Sequence, residues 1–259
     1  SCSGTLTVNA ATGITDSAAV VAPTAILALS GIGDIVVDFA TNDFDVVRAT
    51  TTEGLVTIVE SDGVQLGNAG GGITAANGAL SVTSTGAMTM GNSLETTDSG
   101  ATARALSIQG TSIAVSADIL AANSGQISLT GTAGSITRSA GTVGNVGSAS
   151  LVILSSAGAA SGIGASGSPI ETNAGTIRAQ GGSGGIYLND ATEIVLGDAT
   201  SGITTTNNGP IVITTVNGAI ATGRDISTDG SVDLDSGTVS RIDLGHSITT
   251  TGDAIRFRD

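Results

Sequence analysis

Lysine and tryptophan are absent from this 259-residue chain, and cysteine, proline and aromatic residues are scarce. Each shortage excludes something. Cys2 is the single cysteine, so no disulfide can close within the chain. Three prolines rule out a collagen-like structure despite 39 glycines, which in any case follow no three-residue period. All eight basic residues are arginine and stand against 22 acidic ones, for a net charge of −14. Nucleic-acid binding draws on a basic surface and on stacking aromatics. With that charge and only Phe39, Phe44, Phe257 and Tyr187 as aromatics, a nucleic-acid partner is excluded. No apolar run approaches the ~20 residues of a membrane-spanning helix, so membrane insertion is not expected. The opening segment SCSGTLTVNA has neither the basic nor the apolar region of a signal peptide. Cys2 therefore reads as an ordinary terminal residue and not as a lipid anchor.

Disorder does not fit either. Disordered chains are poor in apolar residues and dense in charge. This one is 40% hydrophobic and 12% charged.

What the chain has is a repeat. A small residue followed by apolar-x-apolar recurs as GTLTV (4–8), AILAL (25–29), GLVTIV (54–59), GALSV (78–82) and ALSIQ (105–109). It continues as GQISL (125–129), SLVIL (150–154), GTIRA (175–179), GPIVI (209–213) and GSVDL (230–234). The period within each unit is two, which marks strands. The apolar residues are Val, Ile and Leu, suited to a pleated surface. Gly, Asn, Ser and Asp break the units into segments of a few residues. Short strands recurring every ~25 residues describe a solenoid. The expected fold is all-β: a parallel β-helix (β-solenoid) of about ten coils, occupying 1–259 as one repeat domain. Ile108, Ile127, Ile153, Ile177 and Ile211 are expected to face the lumen.

The stretches GTLTVNAATGITDSA, GGGITAANGALSVTSTGAMTMG and GQISLTGTAGSITRSAG resemble the repeat regions of filamentous-haemagglutinin-like bacterial adhesins. The resemblance runs from Gly4 to about Ile248 and carries no catalytic signature. It implies a right-handed parallel β-helix in a secreted or cell-surface protein, with a structural or adhesive role. The partner it implies is a surface receptor or glycan, or further copies and coils stacked end to end. The segment then reads as a piece of a longer surface protein or as a filament subunit.

Catalytic groups are hard to assemble from these residues. His246, in RIDLGHSI, is the single histidine; alternation from Ile242 and Leu244 points it inward, and Gly245 breaks the register at a corner. There is no GxSxG, and a serine nucleophile needs both a base and an orienting acid. Polysaccharide-cleaving β-helices need paired acids and sugar platforms. Asp233 and Asp235 form such a pair in SVDLDSG, on the outward side of one strand. A solvated acidic face accounts for them better, and the expectation is a non-enzyme without a cofactor. The densest acidic stretch is DIVVDFATNDFDVVRATTTEG, and its Asp38, Asp43 and Asp45 are the candidate ligands for a structural Ca²⁺. The Gly-rich stretches at 68–74 and 180–185 lack the Lys and helix of a phosphate loop and read as turns. The Thr-rich segments TTT (50–52), ITTTNN (203–208) and ITTTGD (248–253) occur in too few repeats for a continuous ladder.

Overall fold

The computed structural model describes residues 3–139, 141–145, 151–237 and 240–258. Cys2 lies outside the described residues. Among the described residues, thirty-one strands and one 3-10 turn (Ala122–Ser124) follow one another. The strand ladders are parallel and in register, and they build one sheet of 17 strands and one of 14. The result is a β-solenoid of about 11 turns, one more than the repeat spacing suggests.

The lumen follows from the alternation. Along one face Val56, Leu80, Leu106, Ile127, Val152 and Ile177 stack turn over turn, each fully buried or nearly so. Ile186, Ile211 and Val232 form a second ladder in the other sheet. Each such side chain contributes about 1.5–3 kcal/mol of burial. Phe44 also lies wholly inside, and its neighbour in register is Ala22, small enough to leave room for the ring. Phe39 is partly exposed.

Ile108, Ile127, Ile177 and Ile211 face the lumen as expected, but Ile153 does not. Ile127 pairs with Val152, and Leu129 with Leu154, so Ile153 falls opposite Ser128 on the outer surface. The four consecutive apolar residues of Leu151–Leu154 satisfy period two in either phase. Pairing to the turns on both sides chooses the phase.

Three faces make up each turn, and strands switch between spanning one face and two. Val47 pairs with Leu66, and Ala49 with Ile73. Arg48 alone thus stands opposite the six residues 67–72. The same exchange occurs where Arg178 faces 197–202. It occurs again where Tyr187 faces 164–169. Each six-residue corner begins with a glycine at positive φ, at +76° in Gly67, +67° in Gly164 and +88° in Gly197. That conformation costs a side-chain-bearing residue on the order of 1 kcal/mol. Inside the first two corners, Asn68 with Gly71 and Ala165 with Ser168 exchange backbone hydrogen bonds of 2.9–3.1 Å.

Candidate functional site

Most buried polar side chains are hydrogen-bonded at the corners of the lumen, with Ser236 Oγ an exception. Thr205 Oγ1 donates to Gly209 O at 2.5 Å and lies 2.6 Å from Thr228 Oγ1. Thr228 Oγ1 also accepts from the Gly230 amide at 2.8 Å. Leaving a buried donor or acceptor unpaired costs about 1–3 kcal/mol, and among the described residues Arg48 Nε and Ser236 Oγ are the buried side-chain atoms without a partner.

Two acids are treated in the same way. Glu60 ends the strand Val56–Glu60 in the phase of Val56 and Ile58, so its side chain turns inward and is fully buried. Its Oε1 accepts the Phe44 amide and its Oε2 the Asp62 amide, both at 2.9 Å. Burial pushes this carboxyl above its usual range, and the two amide bonds work in the opposite direction. Asp190 follows Ile186 and Leu188 inward on the strand Gly185–Asp190. It accepts from Thr172 Oγ1 at 2.6 Å, the Thr192 amide at 2.9 Å and the Ala174 amide at 3.1 Å. Burial again raises its pKa.

The three carboxylates brought together near the N-terminal end are Asp43, Glu60 and Asp62, with one oxygen from each inside 4.8 Å. Of the candidate calcium ligands only Asp43 belongs to this group. Asp45 is exposed, on the same outward side of the strand Asp43–Thr50. Asp38 sits at the preceding corner, where its amide donates to Asp16 Oδ1 at 3.1 Å. The corner also holds buried Asn42, whose Nδ2 donates to Asp16 Oδ2 at 2.7 Å and whose Oδ1 accepts the Val20 amide at 2.8 Å. Chemically, this arrangement ties three successive corners to one another. Glu60, Asp62 and Asp190 went unmarked in the sequence reading, although VTIVE and GIYLND place Glu60 and Asp190 in phase with inward apolar residues.

The other candidates lie apart. Asp233 and Asp235 do face outward, and Arg258 lies over both, 2.5 Å from Asp233 Oδ2 and 3.7 Å from Asp235 Oδ2. His246 is an exposed corner residue, not a lumen one. Its Nδ1 is 3.8 Å from Asp225 Oδ1, and its amide donates to Thr222 Oγ1 at 2.9 Å.

Compared with known proteins, the chain matches no family model, no curated protein and no solved structure.

Proposed function

We propose that this chain is a non-catalytic, extracellular β-solenoid module. It acts as a shaft or adhesive element of a bacterial surface protein like the filamentous haemagglutinins. The observation that carries this reading is where the polar chemistry goes. The buried acids and hydroxyls hold corners together, and the outward acids pair with arginines or face solvent. What the fold offers is a stiff rod with regular lateral faces, about 50 Å long at the strand spacing of ~4.8 Å. Surface-retention assays test the proposal. The labelled chain should be retained on cell- or mucin-coated surfaces, saturably and without altering a polysaccharide or peptide substrate. Turnover abolished by Asp233→Asn would overturn it in favour of a β-helix enzyme.

A further inference from the structure

One lateral face differs from the rest of this acidic molecule. The strands Val56–Glu60, Leu80–Ser84, Leu106–Gly110, Ile127–Gly131, Leu151–Ser156 and Thr176–Gly181 lie side by side. Between the corners, their outward side chains are hydroxyl, amide or aliphatic, with Arg178 as the one charge. Thr130, Ser155, Gln180, Thr204, Ser227 and Thr249 follow one another in register, turn by turn, parallel to the rod axis. They form an uncharged polar column crossing six turns.

The column passes through a cleft of about 320 Å³. Ile153, Ser155, Arg178 and Gln180 form its floor, and the corner 197–202 rises beside it as a wall carrying Thr200 and Ser201. The cleft exists because the long strand Thr176–Gly181 meets two short ones, Ile194–Leu196 and Ile203–Thr205, whose connecting corner stands proud of the face. Arg178 is neutralised by Asp198, 3.2 Å from its guanidinium. The side chains of Ser155, Gln180, Thr200, Ser201 and Thr204 make no hydrogen bond to another described protein group, unlike the corner hydroxyls of the lumen. Ile153, misassigned to the core from sequence, supplies an apolar patch among them.

We propose that this cleft and column bind a neutral glycan chain lying along the rod axis. Sugar hydroxyls are both donors and acceptors, and they match hydroxyl and amide side chains that have both capacities. The C–H face of a hexose ring suits Ile153. A sugar repeat is of the same order as the ~4.8 Å between turns, so successive rings can meet successive turns. A polyanionic glycan is disfavoured, because the cleft holds no unpaired cation and the chain as a whole carries −14. The proposal rests on the adhesive reading and names the chemical class of its ligand.

Calorimetric titration of the 259-residue chain tests it. The probes are neutral hexasaccharides of β-1,4-glucan, β-1,4-mannan, β-1,4-xylan and α-1,4-glucan, with an oligogalacturonate as the acidic comparator. At least one neutral probe should bind saturably and more tightly than the oligogalacturonate. Gln180→Ala should weaken it about tenfold, the equivalent of one net hydrogen bond. Ser155→Trp should fill the cleft and abolish binding, whereas Ser81→Trp, on the same face several turns away, should not. All three variants change outward residues and should melt like the parent, which separates lost binding from lost folding. Binding of no neutral probe, preference for the oligogalacturonate, or indifference to Ser155→Trp would overturn the proposal. Surface retention that survives Ser155→Trp would overturn the cleft and leave the adhesive reading standing. Hexasaccharide binding without surface retention would do the reverse.

Discussion

Thr172 Oγ1 donates a 2.6 Å hydrogen bond to Asp190 Oδ2 inside the lumen, joining two successive turns through a carboxylate that no solvent reaches. This acid is held by hydroxyl and amide donors, with no cation among its hydrogen-bond partners. Its charge is therefore solvated by the corner alone.

The pH dependence of stability follows from that. Burial raises the pKa of Asp190, and of Glu60, above the unfolded value. The folded chain then holds protons that the unfolded chain has released, so these groups favour folding less as pH rises above the ordinary carboxylate range. Asp98 has the opposite sign. Its hydrogen bonds to Arg104 lower its pKa, and its contribution disappears as pH falls through that lowered value. The melting temperature should rise as pH drops from neutrality toward the ordinary carboxylate range and fall again in stronger acid. Asp190→Asn should flatten the rising limb in thermal scans. A parent that loses stability steadily from pH ~7 downward would contradict this assignment.

Ile127 and Ile153 test the lumen register as a pair. Ile127→Asp places an unpartnered charge in the core and should cost several kcal/mol. Ile153→Asp, on the outer face, should change stability by about 0.5 kcal/mol or less. Chemical denaturation of both variants reads the contrast, and equal losses would mean that the phase at Leu151–Leu154 is wrong.

The six-residue corners predict a glycine contrast. An added Cβ at Gly197 would lie 2.5 Å from Arg224 Cβ and 2.9 Å from Gly202 Cα, in addition to the penalty of φ +88°. Gly197→Ala should destabilise by roughly 1–3 kcal/mol. Gly167→Ala lies on a corner of the same kind with open space around it and should be close to neutral. Differential scanning of the two variants checks the difference.

Asp98 anchors the connection between the strands Leu94–Thr97 and Leu106–Gly110. It accepts the Thr102 amide at 2.9 Å, Asn123 Nδ2 at 2.9 Å and two guanidinium bonds from Arg104 at 2.8 and 3.1 Å. Asp98→Ala should free this loop without opening the lumen. Limited proteolysis should then cut between residues 98 and 105 while the rest of the rod resists. Unchanged cleavage would show that the loop is held by its backbone instead.

The solenoid could be read from residues such as Ile108 and Ile127, because each is flanked by polar residues that fix its phase. Leu151–Leu154 carries no such punctuation, and only its pairing to Ile127 and Leu129 places Ile153 outside. The acidic corner was half legible. Density of Asp drew attention to residues 34–53, but Asp43 meets Glu60 and Asp62 across one turn of the coil, a distance that depends on turn length. Glu60 was available from period two alone, since it stands in line with Val56 and Ile58. The exchange between one long strand and two short ones leaves a fainter trace. LGNAGGGIT and LGDATSGIT recur 130 residues apart and build two of the three six-residue corners.

Those corners enter and leave at nearly the same point. A Cβ at Gly67 would lie 2.9 Å from Gly72 Cα, and in the neighbouring turn the whole excursion is replaced by Arg48 alone. A turn of this rod can thus acquire or shed a protruding loop while the ladders on both sides keep their partners. Its exterior is free to diversify by insertion and deletion, most readily at 69–70 and 199–200, under far weaker constraint than the lumen.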